Sequence, residues 1–172
     1  EIQREGKVWY QEYARGVPQG PLTAIGESDA TGTKVTFKPD PDIFTITEYS
    51  HDILANRLRE LAFLNSGLII DLKDERGEGR QDRFEFQGGI REFVALLSEK
   101  KEPVHEDVIA FTTETPSADA NAAPVTTDVA LKWTNSYAEH ILCYTNNVHN
   151  KDGGTHLTGL RSALTKSLNS YG

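Results

Sequence analysis

The sequence predicts an α+β fold, and three observations predict it. Short runs of β-branched and aromatic residues bounded by Gly, Pro and Asn recur over residues 1–37, 68–86 and 108–133. Apolar residues at helical spacing occupy 47–64, 90–97 and 157–168. Near the end, an apolar run (Ile141, Leu142, Cys143, Tyr144) short enough for a buried strand, the last of the chain, gives way to a polar loop from Asn146-Asn147 through Gly153-Gly154 and then to a helical pattern.

In chain order, Ile2-Gln3-Arg4 is an extended segment, Glu5-Gly6 a turn signal, and Val8-Trp9-Tyr10 with Tyr13 strand formers, so residues 1–16 read as a hairpin. Val17-Pro18-Gln19-Gly20-Pro21 is a loop. Gly32 leads into a strand that places Thr33, Val35 and Phe37 on one face and ends at Pro39 and Pro41. From Thr47 to Leu64 the pattern is helical, with Ile53, Leu54, Leu58, Leu61 and Ala62 on the apolar side and Asn56, Arg57, Arg59 and Glu60 opposite. Asn65-Ser66-Gly67 stops that helix, since Gly67 takes positive φ at little cost.

A second hairpin follows, with strands at Leu68–Lys73 and Gln81–Phe86 around a charged turn. Gly88-Gly89 marks a domain boundary. Beyond it comes a short helix with Ile90, Phe93, Val94 and Leu97 on one face and Lys100-Lys101 in its last turn, where cations suit the helix dipole. Val108–Thr115 and Val125–Trp133 are strands separated by a small, polar tip at 116–124. The last helix opens at Thr155 as its N-cap, with Leu157, Leu160, Leu164 and Leu168 at i, i+3, i+7 and i+11.

Composition excludes several functions. The net charge of −8 speaks against a whole-surface nucleic-acid binder and leaves room only for a local basic patch. One cysteine, Cys143, allows no internal disulfide; a reducing compartment, cytoplasmic by default, is expected, with Cys143 an inert thiol among apolar neighbours. No apolar run approaches the ~18 residues of a membrane span, so no membrane association is expected. The five histidines lack ligand spacing, and no metal site is expected. The chain contains no methionine and begins at Glu1 in strand-like sequence, which suggests a piece of a longer protein.

Tyr144-Thr145-Asn146-Asn147, Asp152-Gly153-Gly154-Thr155-His156-Leu157 and Gly159-Leu160-Arg161 resemble the transducer segment of the DNA gyrase B family, whose members are type IIA topoisomerases. The resemblance extends back through Phe63-Leu64-Asn65-Ser66-Gly67, Gly32-Thr33 and Gly16-Val17-Pro18-Gln19 to Ile2-Gln3-Arg4, and so covers essentially the whole chain. It implies that residues 1–87 are the C-terminal portion of a GHKL-type ATPase domain, an α/β sandwich. Residues 88–172 would be the N-terminal portion of a transducer domain with a left-handed βαβ crossover. The intact protein would bind ATP with Mg²⁺, form a homodimer on doing so, work with the gyrase A protein on DNA, and couple closure to strand passage and negative supercoiling. The B-type component of topoisomerase IV and a stand-alone interaction module remain as alternatives.

The resemblance also implies roles for individual residues. Thr33 and Gly32 match positions beside the adenine of ATP, Val35 a pocket-lining position, and Arg4 the arginine beside the ATP pocket that contacts coumarin antibiotics. Lys151, Arg161 and Lys166 would line a basic wall facing captured DNA. Lys151-Asp152-Gly153-Gly154-Thr155 lacks the spacing of a Walker loop. The family's glutamate base, its magnesium-binding asparagine and its Asp-x-Gly-x-Gly lie upstream of Glu1, and its phosphate-reaching lysine lies beyond Gly172. Phosphoryl transfer depends on such positioning and charge, so no catalytic residue is assigned and the chain alone is expected to be inactive. A free sheet edge is expected at residues 1–4, where upstream strands would pair.

Overall fold

The computed structural model describes residues 1–117 and 121–171; of the expected tip at 116–124, residues 118–120 lie outside the described residues. The chain divides into two compact units, Glu1–Tyr49 and Ser50–Gly172. That break falls well ahead of Gly88. It separates contact-dense regions, and the second unit contains both the second hairpin and everything after it.

The first unit carries a four-stranded antiparallel sheet. Its strands are β1 (Ile2–Arg4), β2 (Lys7–Tyr10), β5 (Thr23–Glu27) and β6 (Gly32–Thr33), in the order β5-β2-β1-β6. Between β2 and β5, the short strands β3 (Tyr13–Ala14) and β4 (Val17–Pro18) pair with each other. Both hairpins close through two-residue turns, Glu5-Gly6 and Arg15-Gly16, with positive φ at both central residues, as the tight hairpin turn requires. The register of β2 on β5 shifts between Val8 and Trp9, a bulge that accommodates the strand Thr23–Glu27, which contains Gly26 and carries no clear sequence signal. No residue of this unit is buried among the described residues. Instead, Arg15 binds Asp40 and Asp42 through Nε and Nη2, both at 2.5 Å, and ties the β3–β4 turn to the segment beyond the sheet.

Two expectations for this unit are corrected. β1 is not a free edge: it lies between β2 and β6, and the sheet edges are β5 and β6. The strand over Thr33, Val35 and Phe37 stops at Thr33. Lys34 still exchanges backbone bonds with Glu1 at 2.8 and 2.9 Å, and beyond it Val35 and Phe37 are exposed with no pairing partner among the described residues.

The second unit begins with α1 (His51–Leu64), whose N-cap is Ser50; the Ser50 hydroxyl accepts from the Ile53 amide at 3.4 Å. The helix thus starts four residues after Thr47. It buries His51, Ala55, Ala62 and Phe63, with Leu58 half-buried beside them, while Ile53 is 71% exposed, so the apolar side is rotated from the expected one. That face packs on the antiparallel hairpin β7 (Ile69–Asp74) and β8 (Arg80–Glu85), where Ala55, Ala62 and Phe84 form a core with Leu58, Ile70, Leu72 and Phe86 against it. Gly67 takes φ +80 as expected at the helix stop.

Next, α2 (Gly89–Ser98) packs on α1 and on the hairpin of β9 (Ile109–Thr115) and β10 (Val125–Leu131). Phe63, 1% exposed, stacks between Phe86 at 3.6 Å and Phe93 at 4.7 Å, centroid to centroid. Burying such a ring is worth about 1.5–3 kcal/mol. Lys100 and Lys101 fall beyond the helix end rather than in its last turn.

The expected last strand, from Ile141, is instead a small hairpin, β11 (Tyr144–Thr145) with β12 (Val148–His149), turning at Asn146-Asn147 with φ of 48° and 65°. Then α3 (Thr155–Tyr171) opens with Thr155 as its first residue. The amides of Leu157 and Thr158 donate to the Gly154 carbonyl at 3.1 Å. Gly153 sits at φ +72, a conformation that favours glycine, and a Cβ there would lie 2.8 Å from Leu157 Cδ2, which would have to shift. Every strand pairing among the described residues is antiparallel, so the α+β class stands while no pair displays the expected βαβ crossover. Among the described residues, no helix is long and apolar enough to cross a membrane.

Candidate functional site

Of the four residues expected beside a nucleotide, three sit on adjoining strands. Gly32 faces Gln3 and Thr33 faces Ile2 across the β1–β6 ladder, and Arg4 follows Gln3 on β1. Val35 lies beyond the end of β6 and is 83% exposed. Space is open where a Gly32 Cβ would project. Arg4 directs its Nε to Glu5 at 3.2 Å and stays mostly exposed. These residues supply a guanidinium, a hydroxyl and a bare stretch of backbone along a solvent-facing sheet edge. They could form one wall of a ligand site; they include no base, nucleophile or metal ligand.

The basic residues expected on one wall are not gathered on one face. Lys151 precedes the Gly153 turn. Arg161 and Lys166, five residues apart on α3, point roughly 140° from each other around the helix axis. Arg161 is also committed to Glu139, with Nη2 to Oε2 at 2.6 Å.

A groove of about 420 Å³ lies elsewhere, between the end of α1, the start of α2 and the β9–β10 hairpin. Phe63, Gly89, Arg91 and Phe111 line it, with Thr112 donating to Asp128 at 2.6 Å. None of the sequence-predicted site residues lines it.

Two polar clusters escaped sequence reasoning. At the start of α1, buried His51 places Nε2 3.1 Å from Asp82 and Nδ1 3.8 Å from Asp52, while Arg80 reaches Asp52 at 3.0 Å. Close by, the paired Arg76 guanidinium and its backbone amide hold the Asp74 carboxyl well below the usual carboxylate range. From the middle of α1, Arg57 pairs with Glu60 at 2.8 Å and donates through Nη2 to the Asn147 carbonyl at 2.9 Å. There Asn147 donates from Nδ2 to Asn65 Oδ1 at 3.0 Å, and Asn65 donates to the Leu61 carbonyl at 2.7 Å. The Tyr144 hydroxyl is enclosed beside them; burial, then the Glu60 charge, pushes its pKa up. No spacing signal could join residues 57, 65 and 147. The adjacent asparagines, residues that tolerate positive φ, are the one local cue to the tight turn found at 146–147 where a longer polar loop was expected.

The family model described as DNA gyrase B matches residues 89–172. The chain is 42% identical to the DNA gyrase B protein of Bacillus mycoides over 172 residues, 99% of this chain and 41% of that protein. It is 44% identical to the DNA gyrase B protein of Staphylococcus epidermidis over 173 residues, 99% of this chain and 26% of that protein. The chain thus spans less than half the length of these curated relatives. Among solved structures, the 43K ATPase domain of Thermus thermophilus gyrase B in complex with an aminocoumarin superposes with a TM-score of 0.79 at 35% identity. That match covers 99% of this chain and 45% of the other. The gyrase B protein from Myxococcus xanthus, at 23% identity and a TM-score of 0.77 over 99% of this chain and 48% of that one, shares the fold. By sequence and fold together, the chain is similar to DNA gyrase B proteins along nearly its whole length.

Proposed function

We propose that this chain is part of a gyrase B protein, the ATP-hydrolysing component of a type II DNA topoisomerase. Residues 1–87 belong on this reading to the ATPase domain and residues 88–172 to the transducer domain; the start of the family match at Gly89, the first residue of α2, supports that division. The intact cytoplasmic enzyme binds ATP with Mg²⁺, closes as a dimer of gyrase B proteins, and with the gyrase A protein passes one DNA duplex through another. The observation that carries the reading is likeness to a gyrase B ATPase domain along 99% of the chain.

The residues present fit one edge of the nucleotide site. Thr33 offers a hydroxyl to the adenine side, and the open space at Gly32 lets a planar base approach the backbone. Arg4 and Val35 extend that edge, with Arg4 the contact for coumarin-type inhibitors. Lys151 and Lys166 remain available to a DNA backbone, with Arg161 joining them only on release from Glu139.

Two measurements test the reading. The 172-residue chain is expected to show no Mg²⁺-dependent ATP hydrolysis; turnover by it overturns the assignment of the catalytic residues to other parts of the protein. In the intact gyrase B protein, Thr33→Ala is expected to raise the KM for ATP about tenfold by deleting one hydrogen bond in a desolvated site. An unchanged KM removes Thr33 from the nucleotide.

A further inference from the structure

The turn at Asn146-Asn147 departs from the cheapest chemistry for its shape. A two-residue hairpin turn with positive φ at both positions favours glycine second. Here the second residue is Asn147, at φ 65°, and its side chain is engaged 82 residues back along the chain at Asn65 Oδ1, 3.0 Å away. Its carbonyl is engaged as well, by Arg57 Nη2 at 2.9 Å, and Glu60 fixes the guanidinium at 2.8 Å. Asn65 is itself immobilised as the C-cap of α1, with both its backbone and side-chain N–H groups on the Leu61 carbonyl. All these groups are partly buried. The tie between α1 and the turn is therefore polar, directional and breakable without exposing a core.

We propose that Arg57, Asn65 and Asn147 form a catch through which α1 holds the β11–β12 turn, making them positioning residues that carry movement between α1 and the segment leading into α3. The proposal rests on the gyrase B reading, in which α1 lies in the ATPase domain and β11–β12 in the transducer. A rearrangement at the nucleotide reaches the second domain through side chains that touch neither ATP nor DNA. Hydrogen bonds serve such a joint because they can be exchanged for water during a stroke and remade after it, whereas a packed apolar seam resists separation.

Asn147→Gly suits the test, because glycine keeps the positive φ and deletes only the amide. In the 172-residue chain, hydrogen exchange of the amides of residues 144–150 is expected to accelerate about tenfold, with β7 and β8 unchanged, as loss of one partly buried bond predicts. In the intact gyrase B protein with gyrase A and DNA, Asn147→Gly and Arg57→Ala are each expected to lower supercoiling per ATP hydrolysed about fivefold, with the KM for ATP within about twofold. Arg57→Lys, which can still donate to the carbonyl, is expected to recover part of the loss. Unchanged exchange overturns the catch, as does unchanged supercoiling per ATP or a parallel loss of hydrolysis and supercoiling. A wild-type intact protein that does not supercoil at all defeats the gyrase reading instead, and the exchange result then judges the catch alone.

Discussion

Helices α1 and α3 carry the same kind of sequence signal and meet different fates. Each has an apolar stripe at helical spacing, and α3 is the longer, with 17 residues against 14. α1 buries His51, Ala55, Ala62 and Phe63 against a hairpin and a second helix. Among the described residues α3 buries none: Leu157, Leu160 and Leu164 are half-covered and Leu168 is 61% exposed. A stripe states which side of a helix is to be covered. It does not state what covers it, and most helix stability comes from that covering rather than from propensity.

The sharpest test of this contrast is the core ring. Phe63→Ala empties the space between Phe86 and Phe93 and is expected to cost about 3–5 kcal/mol in urea unfolding, whereas Leu160→Ala in α3 is expected to cost less than about 1 kcal/mol. Equal losses would mean that α3 is as well covered as α1.

The caps give a smaller effect. Ser50→Ala removes the hydroxyl that accepts the Ile53 amide and is expected to cost about 1 kcal/mol; Thr155→Ala, at a helix start with no comparable side-chain bond among the described residues, is expected to stay within about 0.5 kcal/mol. A Thr155 loss matching that of Ser50 would show a hydroxyl cap at α3 after all.

Smallest is the charged turn of β7–β8. The Asp74 carboxyl is held down by Arg76, so its contribution is present above the ordinary carboxylate range and fades as pH falls through the native value. Asp74→Asn is therefore expected to lower the urea midpoint slightly at pH 7. The gap to the unsubstituted chain narrows once pH drops below about 4. A gap that widens in acid contradicts the pairing.

What the sequence disclosed, and what it withheld, follows the range of the forces. Elements governed by neighbours along the chain were legible: the Glu5-Gly6 turn, the Gly67 stop and the β7–β8 hairpin. The start of α1 was misplaced by four residues because Thr47 and Ser50 both have capping side chains, and only the hydrogen bond to Ile53 chooses between them. Residues beyond Thr33 looked like a strand by composition, but a strand needs a partner, and β1 offers none past the Lys34–Glu1 bonds. The candidate nucleotide edge at Gly32 and Thr33 could be named only through resemblance. Arg57, by contrast, read as an ordinary solvated helix residue and Asn65 as part of the helix stop until the fold delivered Asn147 to them.

The aromatic stack of Phe86, Phe63 and Phe93 has a consequence for any dissection of the molecule. Its rings come from both sides of Gly88, two before it and one after. Proteolysis or subcloning at that glycine pair would leave each product with a bare ring face where it had been sandwiched. The proposed domains thus share one keystone, and they should melt together rather than in sequence.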